Sequence, residues 1–167
     1  GIVLLPKGLV QETWPVYRWL ISVNSSPEHF SLHPRLREDT LELGRFRLSR
    51  VLLMNDSRYP WCILVPERPD VSEIYQLDEP DQITLALESA MLAERLAQTF
   101  QADKMNVAML GNLVPQLHIH HVVRYRTDPA WPGPVWGAGA AIPYSARELT
   151  GIADRLQLVL GEQLVRV

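Results

Sequence analysis

Alternating and continuous hydrophobic positions over residues 44–66 predict an antiparallel meander. The stretch 46–48 alternates apolar with polar side chains, as in a half-exposed strand. Apolar runs at 51–54 and 61–65 predict two more strands, and the polar residues between those runs predict a connection. A turn is predicted at Gly44, at the start of the meander.

Two later stretches have the three- and four-residue hydrophobic spacing of amphipathic helices. The first is predicted over about residues 80–100, because acidic residues and a proline mark its first turn. The second opens with Ser145 and Glu148, the pattern of a capping box, in which each side chain accepts a backbone amide of the other residue. A strand is predicted between the helices, over residues 105–110.

Three of the five histidines lie in the stretch 114–124, whose β-branched and apolar residues predict a further strand. Successive strand side chains point to opposite faces, so Gln116, His118 and His120 are expected to share one face. His121 is expected on the other face, among aliphatic residues. The sequence therefore predicts two imidazoles presented side by side on a sheet.

Composition describes an ordinary globular domain and argues against some partners. The 167 residues suit one domain, with 47% hydrophobic and 21% charged residues. The net charge of −3 argues against nucleic-acid binding, which needs a basic face. One cysteine, Cys62, can form neither an internal disulfide nor a Cys-x-x-Cys zinc site, which fits a reducing cytoplasm. No segment is long enough to span a membrane, so no membrane association is expected.

Three interpretations of His118 and His120 follow from the residues. In the first they are ordinary polar positions on an open sheet face, although two such histidines beside Gln116 favour chemistry. In the second they begin a zinc or iron site, but the carboxylate expected three or four residues after His120 is missing, and Arg124 would repel a cation. In the third, one imidazole attacks phosphorus while a backbone carbonyl holds its other nitrogen as an N–H donor.

The run LGNLVPQLHIH at 110–120 resembles the signature of the histidine triad (HIT) superfamily of nucleotide hydrolases and transferases. That signature is His-φ-His-φ-His-φ-φ, with φ apolar, and it often follows Gly-x-x-Val-Pro. Upstream, 52–56 and 61–66 resemble the family's nucleoside-binding strand pair, so the resemblance covers about 30–126. The stretch AWPGPVWG at 130–137 resembles a feature of a bacterial HIT-like subgroup, and its tryptophans are expected to cover a pocket or a partner subunit.

The resemblance implies a role for each matching residue. His118 would be the nucleophile that forms a nucleotidyl-histidine intermediate, and His120 would bond the α-phosphate or the bridging oxygen. Gln116 stands where the family has its first histidine, so it can form hydrogen bonds but cannot titrate. The implied ribose contact is Asp56, with Asn55 as the adjacent alternative. The implied phosphate contacts are Asn112 and Asn106.

These expectations define an α+β fold: a HIT-like antiparallel sheet of about five strands, one long helix packed on it, and a C-terminal helix. An N-terminal extension of unknown role is expected at 1–27 and a single HIT-like domain at 28–167, with its core at 30–126, a Trp/Pro-rich loop at 127–144 and the C-terminal helix at 145–164.

The resemblance implies a nucleotide hydrolase or nucleotidyl transferase that acts on a nucleoside polyphosphate or phosphoramidate. The alternative is a nucleotide-binding module with little or no catalysis. The resemblance further implies a homodimer with a small-molecule nucleotide as ligand. The cysteine content favours the cytoplasm, and the residues seen require neither a metal nor another cofactor.

Overall fold

The computed structural model describes residues 30–165, and the extension predicted at 1–27 lies outside these residues. The strands are β1 (Thr40–Arg45), β2 (Ser49–Met54), β3 (Trp61–Pro66), β4 (Lys104–Ala108) and β5 (Ile119–Arg124). They form one sheet in the order β1-β2-β3-β5-β4, and every neighbouring pair is antiparallel. The histidine-bearing strand β5 is therefore paired along both edges.

The helices are α1 (Pro34–Asp39), α2 (Glu79–Phe100) and α3 (Ala146–Leu160). The two longer helices begin where the sequence supplies caps. Asp78 accepts the backbone N–H of Asp81 before α2, and Ser145 and Glu148 form the predicted capping box before α3. Among the helices described, none is both long enough and apolar enough to cross a membrane.

The sheet is covered on both faces, so all residues of β3 and β5 are buried. On one face, α2 and α3 pack against aliphatic side chains of the sheet to form the larger core. On the other face, residues from α1 and from the loop after β5 form a second core. Its members include Leu36, Trp61, Ile63, Val122 and Val135.

Two details of the predicted meander are wrong. The stretch 46–48 forms the turn between β1 and β2, in which the N–H of Phe46 donates to the carbonyl oxygen of Ser49 over 2.8 Å. Gly44 lies inside β1 at a bulge, with φ 149°, and a Cβ there would lie 2.6 Å from the carbonyl oxygen of Val165. A glycine is needed because the C-terminal segment pairs with β1 at this point, through two backbone hydrogen bonds between Arg45 and Val165. Local sequence patterns do not reveal this contact.

The predicted α+β fold is confirmed. The sheet has five antiparallel strands, α2 packs on it and α3 lies at the C-terminal end of the described chain. The predicted strands at 105–110 and 114–124 are shorter than expected, because β4 ends at Ala108 and β5 begins at Ile119.

Candidate active site

His118 and His120 lie together on the sheet face that α1 and the second core cover. Their ring centroids are 4.8 Å apart and the rings meet edge to face. Both residues are buried, His118 being 6% and His120 8% exposed. His118 precedes the first residue of β5, yet its side chain stays on the predicted face beside His120.

The Gln116 backbone fixes the proton of His118. The Nδ1 atom of His118 lies 2.6 Å from the carbonyl oxygen of Gln116. A carbonyl oxygen can only accept, so Nδ1 carries the proton and Nε2 has a free electron pair. Burial lowers the pKa of His118, the nearby His33 lowers it further, and the Gln116 bond opposes the shift. A neutral imidazole with a bare Nε2 is the form required of a nucleophile.

His120 has the opposite tautomer. The indole Nε1 of Trp61 lies 3.0 Å from its Nδ1. An indole N–H can only donate, so Nδ1 of His120 is the acceptor and its proton is on Nε2. Burial lowers the pKa of His120 to about 3, with smaller contributions from His118 and His121.

His121 points to the opposite face and connects the strand to α2, in keeping with the structural role predicted for it. Its Nδ1 donates to the carbonyl oxygen of Ile119 over 3.2 Å, and its Nε2 lies 2.8 Å from Oγ of Ser89, which donates to it. Burial lowers its pKa to about 4, although both hydrogen bonds oppose this shift.

The Gln116 side chain lies at the site but faces away from the histidine pair. Its Oε1 accepts the backbone N–H of His33 over 2.9 Å, and its Nε2 donates to the carbonyl oxygen of Ser31 over 2.9 Å. The side chain therefore holds the segment that leads into α1, and only the backbone carbonyl of Gln116 holds His118. The sequence predicts that a backbone carbonyl holds the nucleophilic imidazole, and in the structure the carbonyl that holds His118 belongs to Gln116.

Asp56 and Asn55 bind other parts of the chain. Asp56 is 1% exposed, and its carboxylate accepts Nε and Nη2 of Arg58 over 2.9 and 2.7 Å. These bonds lower the pKa of Asp56, although burial opposes them. Asn55 accepts the backbone N–H of Tyr144 over 3.0 Å. The pair therefore anchors the end of the Trp/Pro-rich loop, and the structure does not leave the Asp56 carboxylate open beside the histidines.

Asn106 and Asn112 are not brought together either. The Oδ1 of Asn106 accepts Nη1 of Arg124 over 2.6 Å, on the same face of the sheet as the histidines. Asn112 is exposed in the turn that precedes β5. Arg124 also forms a two-pronged ion pair with Asp128, and these side chains are 1% and 2% exposed.

The Trp/Pro-rich loop, which has neither helix nor strand, covers the histidine face. The Trp136 ring lies 5.4 Å from the His120 ring and 5.7 Å from the Trp61 ring, edge to face in both cases. The Trp131 ring lies 5.7 Å from the Arg124 guanidinium. Trp136 therefore covers the site of this chain, one of the two alternatives predicted, whereas Trp131 is 37% exposed and lies over Arg124. Sequence reasoning missed Trp61, whose link to His120 depends on the register of β3 against β5.

A pocket opens beside His118, between the loop after β3 and the turn after β4. It is lined by Ser72, Glu73, Met109, Leu110, Gly111, Gln116, Leu117 and His118. Its volume is about 10 Å³, room for about one water molecule, so the pocket marks the side of His118 that lies nearest to solvent together with one carboxylate and a glycine turn.

The described part of the chain contains no group of three or more His, Cys, Asp or Glu side chains placed to hold a metal ion.

Comparison with known proteins adds three findings. The family model of the HIT domain matches residues 36–127. A histidine triad protein from Marinobacter aquaeolei is 52% identical, with a TM-score of 0.79 over 81% of this chain and 98% of that one. A histidine triad protein from Bradyrhizobium japonicum is 44% identical, with a TM-score of 0.77 over 79% of this chain and 98% of that one.

A more distant structure has a similar fold. The diadenosine triphosphate hydrolase of Plasmodium falciparum is 15% identical, with a TM-score of 0.54 over 84% of this chain and 86% of that one. At this identity the match speaks for the fold alone. Among curated proteins, none matches the chain.

Proposed function

Because the chain belongs to the histidine triad (HIT) family, we propose that it is a nucleotide hydrolase or nucleotidyl transferase that works through a nucleotidyl-histidine intermediate. The observation that carries this proposal is the state of His118. Its Nδ1 proton is held by the Gln116 carbonyl and its pKa is lowered, so Nε2 is unprotonated at neutral pH, and the residue lines a small recess at the surface.

In the first step, Nε2 of His118 donates its electron pair to the α-phosphorus of the substrate. The bond from phosphorus to the leaving group breaks, and the leaving group departs with that electron pair and takes a proton from solvent. In the second step, water attacks phosphorus and gives a proton to solvent, the electron pair of the P–N bond returns to Nε2 of His118, and a nucleoside monophosphate is released. A transferase replaces this water with another acceptor.

The phosphoryl oxygens gain negative charge during both steps and need donors. We assign the Nε2–H of His120 to this task, with Asn112 as a second contact from the turn before β5. Asn106 is a further candidate, because its Oδ1 accepts Arg124 Nη1 and its amide nitrogen remains available as a donor. The ribose contact predicted for Asp56 requires the Asp56–Arg58 pair to open first, because this carboxylate is 1% exposed. Asn55 can donate from its amide nitrogen while its Oδ1 accepts the Tyr144 N–H.

The charge of the pocket favours one of the two leaving groups that the sequence left open. Glu73 lines the pocket beside His118. Among the described residues, the lining of this pocket contains neither lysine nor arginine. A polyphosphate leaving group would bring negative charge toward this carboxylate, whereas an amine leaving group would be neutral or positive. A phosphoramidate is therefore the substrate class that we favour.

The test is intact-protein mass spectrometry after brief mixing with an adenosine phosphoramidate or a diadenosine polyphosphate. Wild type is expected to show a transient adenylate adduct and to accumulate AMP, with faster turnover of the phosphoramidate. The His118→Ala variant is expected to show neither adduct nor product while it retains the wild-type circular dichroism spectrum. Unchanged turnover in that variant would remove His118 from the mechanism.

The second candidate function is a nucleotide-binding module with little or no catalysis, and the replacement of the first triad histidine by Gln116 favours it. This module would saturate with a mononucleotide in a calorimetric titration but release no product. In either case we expect a cytoplasmic homodimer. Exposed apolar side chains at the edge strand β4 and the turn after it, which include Val107 and Leu113, support the dimer, and light scattering tests it.

A further inference from the structure

The bond between Trp61 and His120 joins two buried side chains from neighbouring strands. Trp61 is 6% exposed, and its Nε1 lies 3.0 Å from Nδ1 of His120. Trp61 is the first residue of β3 and pairs with Val122, two residues beyond His120 on the same face of β5. Register alone therefore brings the indole N–H to the imidazole, and the bond is part of the sheet rather than of a mobile loop.

The two histidines of the site need opposite proton arrangements for the proposed chemistry. His118 must present a bare Nε2, and the Gln116 carbonyl ensures this. His120 must present an Nε2–H, because a bare nitrogen there would repel a phosphoryl oxygen. A neutral imidazole interconverts its two tautomers easily, so the arrangement at His120 needs its own partner.

We propose that Trp61 is the positioning residue that keeps His120 as an Nε2–H donor to the phosphoryl group. The indole N–H occupies Nδ1, which excludes a proton from that nitrogen and fixes the angle of the ring. This inference rests on the proposed function for its consequence in catalysis, but the state of the His120 ring can be measured without any substrate.

The charged and titratable surroundings of His120 do not supply this control. The groups that influence it are His118 on the same face and His121 on the opposite face, and both are neutral imidazoles with lowered pKa values. Trp136 contributes packing: its ring lies 5.4 Å from the His120 ring, the same separation as Trp61, but its buried Nε1 has no partner among the described residues. Trp61 alone of the two donates to His120.

Because both tryptophan rings lie 5.4 Å from the His120 ring, Trp61→Phe and Trp136→Phe form a matched pair of variants. Each removes one indole ring from the same imidazole, and only the first removes a hydrogen bond to it. The first measurement is the ¹⁵N spectrum of the histidine side chains of the whole protein at pH 7.5. Wild type and Trp136→Phe are expected to show one His120 species with a proton on Nε2, and Trp61→Phe an exchanging mixture of both tautomers.

The second measurement is turnover of the adenosine phosphoramidate. Trp61→Phe is expected to lower kcat by about 10- to 100-fold, with a much smaller change in KM, whereas Trp136→Phe should stay within about threefold of wild type. If Trp61→Phe fails to fold, benzothienylalanine at position 61 keeps the bicyclic ring and replaces only the N–H by sulfur.

The two measurements separate the possible failures. A single Nε2–H species in Trp61→Phe, with kcat lowered no more than in Trp136→Phe, would overturn the assignment of Trp61. Absence of turnover in wild type would overturn the proposed function, and the ¹⁵N spectra would then still decide whether Trp61 sets the tautomer.

Discussion

The burial of three neutral histidines makes the stability of the fold depend on pH. The pKa of His120 falls from 6.5 to about 3 on folding, and that of His121 from 6.5 to about 4. Between pH 6.5 and these values, each of the two histidines is protonated in the unfolded chain and neutral in the folded chain. Stability is therefore fully present above pH 6.5 and decreases as the pH falls below it.

The magnitude follows from these two shifts. Each histidine destabilises the fold by about 1.4 kcal/mol for every pH unit below 6.5. At pH 5, His120 and His121 together should therefore lower the free energy of unfolding by about 4 kcal/mol relative to pH 7.5. For a domain of this size, that corresponds to a decrease in Tm of roughly 8–16 °C. The lowered pKa of His118 adds to the effect in the same direction.

Urea denaturation at half-unit intervals from pH 7.5 to 5 measures the effect. Wild type is compared with His120→Gln and His121→Gln, and the quantity that matters is the slope against pH, because each substitution also changes stability at every pH. Below pH 6.5, the slope of the free energy of unfolding against pH should be smaller in each variant than in wild type, by about 1.4 kcal/mol per pH unit.

Glu88 must be controlled in this experiment, because burial raises its pKa. A buried carboxyl with a raised pKa makes the fold less stable as the pH rises, which is opposite to the effect of the histidines. Glu88→Gln removes this contribution. A His121→Gln protein with the full wild-type slope would refute the reasoning for His121, and the same result for His120→Gln would refute it for His120.

Three further predictions concern the site and its supports. Asp128→Asn leaves Arg124 buried without its counter-charge, so its free energy of unfolding in urea should fall by about 3–5 kcal/mol. The control Asp103→Asn breaks an exposed pair and should lower it by less than about 1 kcal/mol. Equal losses in the two variants would contradict this prediction. With neutral His118 as nucleophile, kcat/KM should be flat from pH 8 to 7 and fall about tenfold per unit only below its lowered pKa; a decrease already between pH 8 and 7 would argue against it. Gln116→Ala keeps the carbonyl that holds His118, so it should cost about 1–3 kcal/mol of stability and change kcat less than tenfold; a loss of turnover as complete as in His118→Ala would show that the side chain acts on the nucleophile.

The sequence predicted those features that depend on neighbouring residues. The capping box of Ser145 and Glu148 spans three positions, and the bond from His118 to the Gln116 carbonyl spans two, so both are nearly fixed by local geometry. The bulge at Gly44 depends on Val165 at the far end of the described chain, and local patterns gave no sign of it.

The parts of the site that the sequence missed are contacts between distant residues. Trp61 and His120 are 59 positions apart, and Gln116 and His33 are 83 apart. The pairing of β3 with β5 could have suggested the first contact if a register had been assumed. By contrast, Asp56 and Arg58 are two positions apart, so their ion pair is a local contact that a sequence pattern can indicate.

The second core, which includes Trp61, Ile63 and Val122, is both the packing of one sheet face and the housing of the histidine pair. A substitution at a position of this core that orients a histidine ring, such as Trp61, changes reactivity as well as stability. The larger core beneath α2 and α3 lies on the opposite face of the sheet from the rings of His118 and His120. In a mutational scan, we therefore expect substitutions on the histidine side to lower activity without a matching loss of protein abundance. On the helix side, activity and abundance should fall together. The two faces of one sheet should therefore evolve under different constraints.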